Sequence, residues 1–146
     1  MDLSKLLGVG LKDDQMLDVL EGFSIEDVVY EFDRTHENMP DAYWAGTKQD
    51  GFLLRFNQHQ ICDVVFCYIE PAEGYSRINP QIIGVTTYGS YAEAEQACKR
   101  LNLKYTVARP DMQGGWVRID DGPFRTHFQF KGGALARVTL SAHDKQ

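Results

Sequence analysis

Two hydrophobic periods follow one another along this chain, and the pair occurs twice. Met16, Leu17, Val19, Leu20 and Phe23 recur at helical spacing behind Asp13 or Asp14 as N-cap, which predicts a helix over Asp14–Phe23. Period-two segments follow at Val28–Phe32, Gly51–Phe56 and Cys62–Ile69, the signal of strands. The helical period then returns. Ser90-Tyr91-Ala92-Glu93 reads as a capping box, in which the Ser hydroxyl accepts from the third helical amide and Glu93 reaches back. The helix it opens runs to Leu101, with Ala94, Ala97, Cys98 and Leu101 as its buried stripe. Strands are predicted after it at Tyr105–Ala108, Trp116–Ile119, Phe124–Phe130 and Leu135–Ser141, and Phe130-Lys131-Gly132-Gly133-Ala134 has the residues of a tight hairpin.

The return of the pattern has a sequence trace. Leu6-Leu7-Gly8-Val9 recurs as Ile82-Ile83-Gly84-Val85 at an offset of 76, while Arg55-Phe56 aligns with Gln129-Phe130 and Val64-Val65-Phe66 with Val138-Thr139-Leu140 at an offset of 74. Such landmarks in one order predict a duplicated unit of half the chain. The seam falls in Glu70–Pro80, where Pro and Gly interrupt the periodicity. The expected fold is α+β: two tandem units, each a helix followed by an antiparallel meander, over residues 1–74 and 75–146, forming one compact body. A length of 146 residues suits that body.

Parity along the strands assigns faces. Phe124, Phe128 and Phe130 point one way, with Ala136, Val138, Leu140, Val117 and Ile119. Trp116, Arg118, Arg125, His127, Gln129 and Arg137 are left on the other side, an aromatic and basic surface. A solvated face with Arg stems over apolar atoms and a partner-binding face with Trp and Arg anchors are both open. In the first half Val64, Phe66 and Tyr68 are matched by Val65, Cys67 and Ile69, so this strand is expected to be central and covered on both sides.

Charge divides the halves. Residues 1–79 hold 6 Lys and Arg against 15 Asp and Glu, a net of −9, and residues 80–146 hold 9 against 6, a net of +3. An acidic first lobe disfavours direct nucleic-acid binding and would steer a basic partner to itself. Its candidate partner-binding residues are Asp13, Asp14, Asp18, Glu31, Asp33, Glu37 and Asp41. Those of the second lobe are Trp116, Arg118, Arg125, His127 and Arg137.

Catalytic and metal signatures are sparse. Cys62 and Cys67 differ by five positions on one predicted strand, so they face opposite sides unless a bulge intervenes, and Cys98 belongs to a helix stripe. No metal and no cofactor are expected. Asp33, His36 and Glu37 are the densest titratable cluster, in a Pro-bounded polar stretch that also reads as an ordinary loop. Asp120-Asp121-Gly122-Pro123 reads as a turn. GxSxG, P-loop and GxGxxG motifs are absent. An odd cysteine count fits a reducing compartment. The opening MDLSKLLGVGLKDDQ lacks the basic start and apolar run of a signal peptide, and no window approaches 18 apolar residues. A soluble, cytoplasmic, non-membrane protein is therefore expected.

Taken together, Leu7-Gly8, Gly51-Phe52-Leu53-Leu54-Arg55-Phe56 and Val64-Val65-Phe66, followed by Ile83-Gly84, Trp116-Val117-Arg118-Ile119, Phe128-Gln129-Phe130 and Ala136–Leu140, resemble a group of small bacterial proteins. These are built from tandem helix-plus-meander units, and their plan is similar to tandem β-lactamase-inhibitor-protein-like folds. Leu101-Asn102-Leu103 departs from the group's Leu-Gly-x-Pro helix ending. The resemblance implies an immunity or inhibitor protein, a non-catalytic binder that occludes the active site of a cognate bacterial toxin, with a basic, nuclease-like toxin as one form of partner. Two alternatives stay open. One is a small enzyme or small-ligand binder using the cleft between units, with His36, Glu37 or His127 as working groups. The other is an assembly subunit that dimerises through the apolar first sheet.

Overall fold

The protein was described from a computed structural model, covering residues 1–31, 41–111 and 114–143. A 3₁₀ turn at Leu3–Leu6 precedes helix α1 (Asp14–Gly22) and strands β1 (Val29–Glu31), β2 (Ala42–Thr47), β3 (Phe52–Phe56) and β4 (Cys62–Tyr68). A second 3₁₀ turn at Pro80–Ile82 precedes α2 (Tyr91–Arg100), β5 (Tyr105–Asp111), β6 (Gly114–Ile119), β7 (Phe124–Lys131) and β8 (Ala134–Ala142). The strands form one antiparallel sheet of order β1-β2-β3-β4-β8-β7-β6-β5. The α+β expectation holds in that coarse form, with most of the ordered chain in the sheet. Each four-strand run is a meander, and the two meet where β4 pairs β8 through Val65↔Leu140 and Cys67↔Val138.

One core lies on one face of this sheet. Phe52, Leu54, Phe56 and Val65 from the first meander join Val117, Phe128, Phe130, Val138 and Leu140 from the second. Met16, Val19 and Leu20 of α1 and Tyr91, Ala94 and Cys98 of α2 complete the same cluster, so both helices cover that face. Burying a Phe or Leu side chain contributes about 1.5–3 kcal/mol, and this layer supplies most of the stability. The strand parity expected for β6, β7 and β8 agrees with the burial of Val117, Phe128, Phe130, Val138 and Leu140. It fails at Ala136: Gln129 pairs Arg137 and Phe130 pairs Leu135, so Ala136 is an extra residue and Leu135 packs on the core instead.

Both helices stop the same way. After α1, Ser24 has φ 54°, and the amides of Ser24 and Ile25 bond the carbonyls of Glu21 and Leu20. After α2, Asn102 has φ 54°, and the amides of Asn102 and Leu103 bond Lys99 and Cys98. These are Schellman endings, which capture carbonyls that the last turn leaves without helical donors. A glycine is not needed because Ser and Asn tolerate the left-handed region better than branched residues do.

The helix boundaries shift slightly from expectation. Asp13 is the N-cap of α1, but its side chain does not cap; Oδ2 instead accepts from the Gly10 amide at 2.8 Å. Ser90 Oγ accepts from the Glu93 amide, whereas Glu93 Oε2 reaches the Gly89 amide at 3.2 Å rather than that of Ser90. Leu101, expected in the buried stripe, is 55% exposed, because it is the C-cap residue where the chain leaves the helix. Tyr91 takes the core position instead, edge-on to Phe130.

Two further differences change how the second face is read. Strand β2 was not expected; it fills the place between β1 and β3, pairing Trp44 with Arg55 and Ala45 with Leu54. In β4, Arg55 pairs Val64 while Phe56 pairs Cys62, so Asp63 is an extra residue. This bulge turns Cys62 onto the core side with Cys67, correcting the expected opposition of the two thiols. A register shift of the same kind lies between Gln129 and Phe130 of β7.

Candidate functional site

The helices leave the other face of the sheet open. Its cross-strand rows follow from the register. Trp44, Arg55, Val64, Ser141 and Arg125 form one, and Leu53, Phe66, Thr139, His127 and Arg118 the next. A third runs from Tyr68 through Arg137 and Gln129 to Trp116. Most of these side chains are half-buried, covered by neighbours in the sheet but reachable from solvent.

Aromatic and basic groups pair along the face. Trp44 stacks on Phe66 with ring centres 6.2 Å apart, and the Arg55 guanidinium lies 5.9 Å from the Trp44 ring. Trp116 tilts over His127 at 5.2 Å. Burial, followed by the charges of Arg118 and Arg137, pushes the His127 pKa below its ordinary value and keeps the ring neutral at pH 7. No described carboxylate bonds that imidazole.

Charge on the face is only partly balanced. Arg55 bonds Asp63, whereas Arg118 Nε at 2.9 Å and Arg125 Nε at 3.1 Å share one oxygen of Asp120. Arg137 has no ion pair among the described residues. Among the described residues four guanidiniums therefore stand against Asp63 and Asp120 along the rows and Glu73 at the corner. The connection between the halves covers one corner, where Tyr75 stacks on Tyr68 at 4.5 Å and Tyr68 donates to Glu73 Oε2 at 3.0 Å. Strand β4 is thus central as expected, with a tyrosine strap as part of its second cover.

Trp116, Arg118, Arg125, His127 and Arg137 are brought together on this face. The acidic candidates are elsewhere. Asp13, Asp14 and Asp18 are exposed on or beside α1, on the helix side of the sheet, while Glu31 is exposed on edge strand β1. Asp41 accepts from the Tyr30 hydroxyl. Asp33, His36 and Glu37 lie outside the described residues, as does the end of the strand expected at Phe32. Sequence reasoning missed the first-half share of the face, Trp44, Arg55 and Phe66. The signal was present in Tyr43-Trp44 before Thr47-Lys48-Gln49-Asp50-Gly51, an aromatic pair leading into an Asp-Gly turn.

No protein-family model, no curated protein and no solved structure matches the chain. Among the described residues no helix is long and apolar enough to cross a membrane.

The thiols are structural. Cys62, Cys67 and Cys98 are free and buried, and burial pushes Cys62 and Cys67 up to about 12, with the Asp63 charge adding to the shift at Cys62. Cys62 and Cys67 share a face but stand five residues apart along β4, about 16 Å, too far for a disulfide. Iodoacetamide at pH 8 is therefore expected to leave all three unmodified in the native protein and to label all three after denaturation. Mass spectrometry reads this, and native labelling of Cys62 or Cys67 would contradict it.

Proposed function

We propose that this chain is a non-catalytic protein-binding module that docks its partner on the open sheet face, in the manner of an immunity or inhibitor protein occluding a toxin's active site. The observation that carries the reading is the continuous band from Trp44 to Trp116, which crosses both meanders and has no helix over it among the described residues. Trp and Arg are the side chains most often found as energetic anchors of interfaces. The excess of guanidinium over carboxylate selects the occupant: a folded protein whose contact patch is acidic.

We further read the two halves as copies of one unit. Support comes from the shared order of 3₁₀ turn, helix and four strands, from Schellman endings at Ser24 and Asn102, and from register shifts at Arg55/Phe56 and Gln129/Phe130, again 74 residues apart. On this reading β4 and β8 are equivalent last strands, and the docking face spans their seam.

The experiment is binding to the product of the neighbouring gene. Trp116→Ala is expected to speed dissociation about 30-fold, a loss of about 2 kcal/mol. Reversing Asp13, Asp14 and Asp18 together is expected to leave dissociation unchanged. Slower association after the charge reversal, with no effect of Trp116→Ala, would move the interface to the acidic helix and make the partner basic. Absence of any complex would return the chain to the enzyme or assembly alternatives.

A further inference from the structure

We propose that a cavity at the β4–β8 seam binds a small hydroxylated phosphate monoester. The cavity, about 660 Å³, lies in the size range of small-molecule sites. It opens at the end of the row Arg55, Val64, Ser141 and Arg125, so the two arginines are separated by the two central strands of the sheet. Three strand spacings put their backbones about 14 Å apart. Val64 and Ser141 between them are short and form the floor, with Arg55 held to Asp63 at one wall and Arg125 paired with Asp120 at the other.

The charges around this floor favour an oxyanion. Arg125 Nε is buried and has no aligned hydrogen bond, although it stands 3.1 Å from the Asp120 oxygen that also accepts from Arg118. One carboxylate shared by two guanidiniums leaves positive charge next to the cavity. A guanidinium offers parallel N–H groups that match the oxygens of a phosphate. His59 and His143, both exposed, stand on the rim.

Asp63 sets the selectivity. It lines the same cavity; Oδ1 of its carboxylate is buried, and the oxygen that Arg55 holds, Oδ2, is the one a ligand hydroxyl can reach. A carboxylate in the wall repels a bare anion but accepts a hydroxyl. The favoured ligand therefore combines phosphoryl oxygens for Arg125 with an O–H for Asp63. The volume leaves room for a short hydroxylated carbon chain beside the phosphate.

Titration calorimetry on the full chain at pH 7.5 tests this with glycerol 3-phosphate, inorganic phosphate and sulfate, the last having no hydroxyl at that pH. Glycerol 3-phosphate and phosphate are expected to bind at millimolar concentration or below, and sulfate at least about tenfold more weakly. Arg125→Gln should weaken both phosphates by about tenfold or more, and Asp63→Asn should narrow the gap to sulfate. Amide NMR shifts in the wild-type chain should centre on Val64, Ser141 and His143, which keeps the test valid if a variant fails to fold. Equal binding of sulfate, undiminished binding by a folded Arg125→Gln protein, shifts centred elsewhere, or no saturable binding would each overturn the proposal. The site does not rest on the docking reading: a chain that binds phosphate but no neighbouring gene product, or the reverse, separates the two.

Discussion

Replacing Phe128 by alanine is expected to lower the unfolding free energy by about 3–5 kcal/mol, enough to remove much of the stability of a domain this size. Phe128 is 1% exposed, pairs Val117 on one side and Val138 on the other, and meets Tyr88 edge-on at 5.5 Å. Neighbours held in two strands cannot close the hole that its ring would leave, so lost burial and cavity terms add. Trp116→Ala, one strand away on the opposite face, removes a larger side chain but should cost less than about 1.5 kcal/mol, because that ring is only half-buried. Urea unfolding of the two variants measures both. A Trp116→Ala cost equal to that of Phe128→Ala would mean that the outer face is as much a core as the helix-covered one.

Gly51→Ala should be nearly as damaging, at about 3 kcal/mol or more. Gly51 has φ +78°, and a Cβ there would stand 2.3 Å from the Ser76 carbonyl oxygen and 2.6 Å from the Ile78 nitrogen. Both are backbone atoms of the connection between the halves, and that backbone is tied down: the Ser76 amide bonds Lys48 and the Ile78 amide bonds Tyr68. No side chain can swing away to relieve the clash. Gly122 is the control. Its φ of +95° is as unfavourable for alanine, yet nothing lies within 4 Å of the added carbon, so Gly122→Ala should cost only about 1–2 kcal/mol. Thermal melts compare the pair, and limited proteolysis should find residues 70–79 cut faster in the Gly51→Ala protein. Similar losses at both sites would show that the connection yields.

Particular residues explain what was legible beforehand. Strands such as β7 declare themselves because Phe128 and Phe130 alternate with His127 and Gln129, and a buried face imposes that period directly. Strand β2 does not, since Tyr43 and Trp44 are adjacent and both half-buried, which hides the alternation. Bulges hide for another reason. The residue Asp63 reads as one more strand position, and only its partner's register reveals that it is extra. The basic half of the candidate face followed from parity within single strands. Its union with Trp44, Arg55 and Phe66 depends on β4 meeting β8, a pairing between residues about 75 apart that no local pattern encodes.

That same pairing sets a hazard during synthesis. When β4 has left the ribosome, its Val64, Val65 and Phe66 backbone has β3 on one side and nothing on the other, and it stays a bare edge until β8 emerges. The chain between Tyr68 and Ala142 is 74 residues long, which at about 5–20 residues per second takes roughly 4–15 s. An apolar edge open for that long is a template for strand addition by any nascent neighbour. Slowing translation within the second half should therefore lower the soluble yield, whereas slowing it within the first half should not.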